Sequence, residues 1–323
     1  MTVKPTIIPI AAGKGGVGKS LLTANLALCL SRMGRRTIAV DLDLGGANLH
    51  HFLGVQNKHP GIGDFLVARQ GELIDYLVPL DNDRLHFIPG DGKTPFMANL
   101  AHTQKLKLIN RILKLPADVV LLDLGAGSAF NTLDFFGLSD QGIVVTTPDI
   151  LAVVSMLSFL KHALLRSMER SLVNYRSAQA VLKEGFRNPM ADQVPTIAHF
   201  HEMIAKEDPA AARMVIDRHR RWRPRIIFNR GRKPEDSLLA DQISQSLKGI
   251  LQVEADYFGF IFEDPAIEAA MKNRAPLTAI YPDSMAAQNI ARIAERIAKY
   301  WDRKIPNSAE LIYAHVSEVY KKP

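Results

Sequence analysis

Residues 6–20 read Thr-Ile-Ile-Pro-Ile-Ala-Ala-Gly-Lys-Gly-Gly-Val-Gly-Lys-Ser. An apolar run from Thr6 to Ala12 enters a glycine-rich turn, and from Lys19 to Met33 the spacing becomes helical until Gly34. Strand, turn and helix in that order are the context in which G-x-x-x-x-G-K-[ST], here Gly13 to Ser20, grips phosphate. The glycines let the backbone fold tightly and point N–H groups at phosphate oxygens. The helix start adds a partial positive charge at the same place. The pattern predicts Lys19 on the β- and γ-phosphates and the Ser20 hydroxyl on Mg²⁺. The expected nucleotide-binding set is Gly13, Lys14, Gly15, Gly16, Val17, Gly18, Lys19, Ser20 and Leu21.

Outward from this loop the N-terminal half alternates short apolar runs with helical stretches. Thr37 to Asp41, Arg84 to Ile88, Val119 to Asp123 and Gly142 to Thr146 read as strands, and Thr103 to Leu115 as a helix closed by Pro116. Continuous β-branched runs imply strands covered on both faces. Their alternation with helices implies a parallel sheet with right-handed crossovers. After Pro148 the rhythm changes: Ile150 to Gly185 reads as one long helix or two, 187–195 as a loop, and His199 to Arg221 as a helix. Strands return at Arg225 to Asn229 and Tyr257 to Ile261, followed by helices at Asp264 to Lys272, Ser284 to Arg303 and Ser308 to Tyr320. The expected fold is α/β, a P-loop NTPase with a mostly parallel twisted sheet and helices on both faces. Residues 1–323 form one domain, with a basic helical insertion at about 160–222 and a helical tail at about 305–323.

Composition narrows the function classes. The 323 residues are 47% hydrophobic and 23% charged, which excludes a disordered or collagenous chain. No run of 18 apolar residues occurs, so a spanning helix is not expected, and Met1 to Pro5 lack a signal-peptide pattern. A single cysteine, Cys29, removes any intrachain disulfide, argues against a paired-cysteine cluster scaffold and fits a cytoplasmic location. The net charge of +7 is uneven: Leu160 to Arg225 holds 13 Lys/Arg against 7 Asp/Glu, leaving the remainder nearly neutral.

Carboxylates end two of the strands. An aspartate at the carboxyl end of a parallel strand faces the ligand crevice. Asp43 is the candidate for orienting the attacking water and for the metal, and Asp41 supports either the metal or its own loop. Turn and cap chemistry is the competing reading of this pair. Asp123, ending a buried apolar strand, is expected to hold Mg²⁺ through water. No side-chain nucleophile is needed, because water attacks and catalysis is positioning plus charge neutralisation. Asn229 ends another strand, and its amide can pair with a donor and an acceptor on a base edge.

Lys14, a second lysine inside the glycine loop, carries a resemblance. With Asp41 to Leu49 (D-L-D-L-G-G-A-N-L), the Val119 to Asp123 strand and Asn229, the sequence resembles the MinD/ParA group of deviant Walker A ATPases over roughly residues 5–158 and 224–302. That resemblance implies an ATP hydrolase in which Lys14 joins Lys19 and Asp43 as catalytic residues, reaching the nucleotide of a partner copy. It also implies that Asn48 senses the nucleotide and that Asn229 reads adenine. ATP with Mg²⁺ would close a homodimer, and a protein partner would stimulate hydrolysis. The cellular task implied is positioning: a flagellum, a division site or a chromosome. Gly125 stands near the place where the group usually has proline, and Phe262 replaces a proline in Gly259 to Asp264. Within the group the resemblance is to the flagellar-number and MinD-like branches, although the N-terminal activating arm usual in the flagellar branch is not expected, since the first strand starts a few residues from Met1.

Two surfaces hold alternatives. The run Arg213 to Lys233 contains nine cations and Trp222, which fits nonspecific DNA binding as in partition proteins, or a nucleic-acid module with a vestigial ATPase. The competing reading pairs several of these arginines with Asp217, Glu235 or Asp236. The tail helix is amphipathic, which keeps a peripheral site on the inner membrane surface in view. Glu310 and Glu318 oppose Lys321 and Lys322, so packing on the body or on a partner is the plainer reading.

Overall fold

In the computed structural model, residues 4–68, 70–80, 83–90, 100–187 and 196–321 are described. In chain order they form β1 (Thr6–Ala11), α1 (Lys19–Arg32), β2 (Thr37–Leu42), α2 (Leu49–Leu53), α3 (Ile62–Val67), β3 (Val78–Pro79), β4 (Leu85–Ile88), α4 (His102–Ile112), β5 (Val119–Leu124), α5 (Phe130–Phe136), β6 (Ile143–Thr146), α6 (Ile150–Ser171) and α7 (Arg176–Arg187). Then follow α8 (Ile197–Glu207), α9 (Pro209–Arg221), β7 (Arg225–Gly231), α10 (Leu239–Ser246), β8 (Asp256–Phe262), α11 (Pro265–Lys272), α12 (Leu277–Ile280), α13 (Met285–Tyr300) and α14 (Ser308–Tyr320). Most of the expected loop 187–195 lies outside the described residues.

The eight strands order as β3-β4-β2-β5-β1-β6-β7-β8, and every described pair is parallel except the short edge strand β3. Side-chain alternation feeds a core on each face. Along β5, Val120, Leu122 and Leu124 join one apolar cluster while Val119 and Leu121 join the other. The same division separates Ile226 and Phe228 from Ile227 on β7. Helices α4 to α6, α8 and α9 cover the first face, and α1 and α13 cover the second.

After β1 the chain builds towards β2 and β5 on one side and towards β6 to β8 on the other. The sheet's switch point therefore lies beside β1, where its carboxyl end opens into the glycine loop.

The crossover from β6 to β7 runs through four helices. The expected helix at His199 to Arg221 is two, because Asp208 and Pro209 interrupt it. Pro209 starts α9, and the Asp208 carboxylate caps the amides of Ala210 and Ala211. Ile150 to Gly185 likewise divides, at Leu172. By length and composition α6 is apolar enough to cross a membrane, contrary to the count of uninterrupted apolar residues. Its Met156, Phe159, Leu160, Leu164 and Met168 are buried in the first core, packed against the sheet. The basic segment 160–222 thus contributes Leu182, Phe200, Ile204, Val215 and Trp222 to the same core as the sheet.

The tail helix α14 packs through Ile312 and Val316, whereas Leu311 is 56% exposed.

Candidate functional site

A cavity of about 750 Å³ opens at the carboxyl end of the sheet. Lys14 to Leu21 form one wall, and Asp43, Asn48, Asn229 and Asp264 contribute from other loops. Gly13 and Gly18 show why the loop needs glycine. A Cβ on Gly13 would stand 2.3 Å from the backbone of Ser155 on α6. Gly18 has φ +89, and its Cβ would meet Asn229 Nδ2 at 2.2 Å. Helix α1 begins directly after it, so its first amides face the cavity.

The buried charge beneath the loop is a compact set. Lys19 Nζ lies 2.7 Å from Asp123 Oδ1 and 3.4 Å from Ser20 Oγ. Lys19 is 8% exposed and Asp123 fully enclosed. Thr23, one turn along α1, places its hydroxyl 3.1 Å from the same oxygen. Asp123 Oδ2 is buried and has no hydrogen-bond partner. An anionic oxygen left bare in such a place is the kind of donor a divalent cation takes. With the Ser20 hydroxyl and the Asp43 carboxylate opening on the same cavity, these residues fit Mg²⁺ bound with nucleotide phosphates.

The two aspartates after β2 divide their work. Asp41 accepts hydrogen bonds from the amides of Asp43 at 3.1 Å and Leu49 at 3.0 Å, so it braces the loop 43–48. Burial, and next the neighbouring Asp123, push its carboxyl up to about 7. Asp43 instead faces the cavity. Burial raises its pKa, against the pull of Lys19.

Lys14 and Asn229 sit somewhat differently from their expected roles. Lys14 Nζ makes an ion pair of 3.1 Å with Asp149 of its own chain, with side chains 37% and 50% exposed. Asp149 also caps α6 through the Ala152 amide and accepts from the Thr147 hydroxyl. That hydroxyl and the Ala152 amide, with Lys14, hold its carboxyl down to about 2. Asn229 Nδ2 donates to the Val17 carbonyl at 2.7 Å, bracing the glycine loop, while Asn229 Oδ1 is buried without a partner. One end of the amide is committed and the acceptor end is free for a ligand donor.

Sequence reading missed Thr23 and Asp149. Thr23 follows Lys19 by four residues on one helix face, and Asp149 follows the end of a parallel strand, so both had a signal. It also missed the apolar rim: Phe52, Ile267 and Met271 line the cavity from just beyond the segments that end at Leu49 and Asp264.

Of the nine cations from Arg213 to Lys233, seven make ion pairs within the chain. Arg218 and Arg221 meet Asp140, Arg220 meets Asp217, Arg223 meets Glu254 and Asp256, Arg225 meets Asp256, and Arg230 and Arg232 meet Glu263. Of the three expected partners only Asp217 takes an ion pair among the described residues. Asp236 accepts the backbone amides of Arg232 and Lys233 instead.

Comparison with known proteins gives a family and a fold. The profile of the CobQ/CobB/MinD/ParA nucleotide binding domain matches residues 8–277. A putative septum site-determining protein MinD of Nephroselmis olivacea is 29% identical over 147 residues, covering 46% of this chain and 54% of that protein. The flagellum site-determining protein YlxH of Helicobacter pylori is 34% identical over 157 residues, covering 48% of this chain and 52% of that protein. This chain therefore spans about half the length of those two relatives. Among solved structures, the septum site-determining protein MinD of Pyrococcus horikoshii, complexed with Mg-ADP, superposes with a TM-score of 0.55 at 23% identity, over 91% of this chain and 96% of that one.

Proposed function

The chain belongs to the CobQ/CobB/MinD/ParA nucleotide-binding family, and from that premise we propose that it is a Mg-ATP-dependent ATPase whose dimerisation makes it a spatial-positioning switch. The observation that carries this reading is the mouth of the cavity. Lys14 is half-exposed there, tied only to a half-exposed aspartate. Beside it Ile150 (78% exposed), Leu151 (73%) and Val154 (57%) present an apolar strip at the start of α6. A cation that leaves one carboxylate for a phosphate across an interface loses little, since exposed ion pairs contribute about 0–1 kcal/mol. The adjoining strip supplies apolar area to bury between two copies.

In this proposal the amides of Gly13 to Leu21 hold the phosphate chain and Lys19 turns from Asp123 towards the β- and γ-phosphates. Ser20, Asp43 and Asp123 hold Mg²⁺, which supplies charge neutralisation on the phosphate oxygens. Asp43 aligns the attacking water and Asp41 keeps its loop in place. Asn229 uses its free acceptor towards the adenine amino group, and Asn48 lies where it reports the nucleotide to the loop. A protein partner accelerates turnover. The names of the septum-site and flagellum-site relatives support positioning as the cellular task.

The test is size-exclusion chromatography of Asp43→Ala with ATP, ADP or neither, each with magnesium. The variant is expected to bind ATP, hydrolyse it slowly and elute as a dimer with ATP alone. Elution as a monomer in all three conditions would refute the dimer switch. Wild-type turnover in the variant would remove Asp43 from its role.

A further inference from the structure

At the other end of β8 lies a second cavity. Phe262, Glu263 and Asp264 lead from this strand into the nucleotide site, whereas Tyr257 stands at its start, roughly 17 Å away along a strand rising about 3.3 Å per residue. Around Tyr257 a cavity of about 370 Å³ is enclosed by the end of α13, the connection 301–307 and the start of α14. That volume lies within the range of small-molecule pockets, about 300–1,000 Å³.

Its chemistry is one-sided. Arg296, Arg303 and Lys304 line it, and among the described residues no carboxylate does. This is unusual for the neighbourhood. One layer inward, Arg223 and Arg225 both meet Asp256. Arg296, half-buried, donates from Nη1 to the Phe258 carbonyl at 3.2 Å, a neutral acceptor, and burial lowers its pKa. Arg303 uses its backbone carbonyl, not its side chain, to receive Arg225 Nη2 at 2.8 Å. Lys304 also borders the adjoining groove of Glu254, so it is the most compensated of the three. Apart from Ser308, the remaining wall is apolar and aromatic. Tyr300 is 43% exposed and Leu311 56% exposed, and the Tyr257 ring is fixed by its hydroxyl contacts with Ser244 and the Ala240 carbonyl. Leu311 is an aliphatic residue of the tail helix that the core does not take.

We propose that this basal cavity binds a small anionic amphiphile, with a carboxylate or phosphate headgroup held by Arg296, Arg303 and Lys304 and a short aliphatic or aromatic body against Tyr257, Tyr300 and Leu311. Arg296 and Arg303, which no carboxylate of the lining meets, attract the headgroup with Lys304 beside them, and charge-assisted hydrogen bonds from guanidinium fix it. The apolar wall discriminates against inorganic anions, because only an amphiphile removes that wall from water. The site stands independently of the nucleotide reading, since it shares no residue with that cavity.

The test is isothermal titration of the full chain with octanoate and octyl phosphate, each below its micelle-forming concentration. Octanol and inorganic phosphate serve as controls for each half of the ligand. One saturable site is expected, with both controls at least tenfold weaker than the better amphiphile. The tighter of octanoate and octyl phosphate identifies the headgroup class. Arg303→Ala with Lys304→Ala should weaken binding at least tenfold while leaving the melting temperature unchanged, because both side chains are exposed and the Arg303 carbonyl is retained. Leu311→Glu, which places a carboxylate in the wall, should have the same effect by a different route. Octanol binding as tightly as octanoate, several sites without saturation, or full affinity in both variants would overturn the assignment.

Discussion

The glycine loop holds two lysines and the run Arg213 to Lys233 holds nine cations, yet the sparser region is the one equipped for anions. In the run, seven cations are met by carboxylates from Asp140, Asp217, Glu254, Asp256 and Glu263. In the loop, Lys14 has one solvent-facing partner, and Lys19 shares a single oxygen of Asp123 whose other oxygen has no hydrogen bond. Charge density along a chain therefore says little about anion binding. What counts is whether the fold returns an acid to each cation and whether backbone donors converge on the same space.

The largest expected effect tests the committed side of this comparison. Asp256 and Arg225 are both fully buried, and Arg225 is stacked over Phe258 while donating to the carbonyls of Trp301 and Arg303. Asp256→Ala leaves that guanidinium buried without its anion, and a loss of about 3–5 kcal/mol in unfolding free energy is expected from denaturant titration. A loss below about 1 kcal/mol would mean that the carbonyl contacts alone hold Arg225.

The next effect tests the uncommitted side. Lys19→Ala should lower ATP affinity about 10- to 100-fold, the range for losing a charge-assisted hydrogen bond to phosphate. Equilibrium dialysis with ATP and magnesium measures it, and wild-type affinity would contradict the loop assignment. Stability should fall as well, since Asp123 loses its buried cation, so the dialysis belongs at a temperature where circular dichroism shows the variant folded.

What could be read in advance follows the same division between local and returned contacts. The glycine loop, the strands ending at Asp41 and Asp123 and the position of Asn229 are set by neighbours a few residues away, and the sheet confirms that order of elements. Asp149 lies 135 residues from Lys14, and Asp256 lies 31 residues beyond Arg225, on a strand whose apolar pattern conceals a buried acid. Helix α5, whose Asp134 draws Lys105 and Arg166 together, carries too short an apolar pattern to announce itself. Glu235 was a natural local partner for the basic run, but Glu263 on the neighbouring strand's exit takes Arg230 and Arg232 instead. Sheet pairing brings β7 and β8 together, and no windowed reading contains that register.

Asp134 gives a pH-dependent intermediate case. Burial by itself would raise its carboxyl, but hydrogen bonds from Arg166 and Lys105 outweigh burial and hold it below the usual range. A depressed carboxylate stabilises the fold above its unfolded pKa of about 3.9 and loses that contribution as pH falls through the folded value. Acid unfolding followed by circular dichroism should therefore begin below about pH 4 in this region, and Asp134→Asn should flatten that part of the curve. An unchanged acid limb in the variant would show that the cluster is not what acid disrupts.

The smallest effect is the most informative about the basic run. Arg220 and Asp217 are separated by one helical turn, 4.0 Å apart, with side chains 77% and 63% exposed. Water and mobile ions screen such a pair, and holding two long side chains together costs rotamer entropy that cancels most of the attraction. Arg220→Gln should change unfolding free energy by no more than about 0.5 kcal/mol at low salt, and by less at high salt. If the run served DNA phosphates, the same substitution would lower nonspecific DNA affinity and reduce the salt slope by about one charge. Fluorescence anisotropy with a duplex of arbitrary sequence, measured at several salt concentrations, separates the two. An unchanged slope is expected, because the arginines around Arg220 are held by Asp140, Glu254, Asp256 and Glu263, and a phosphate would have to displace those carboxylates one at a time.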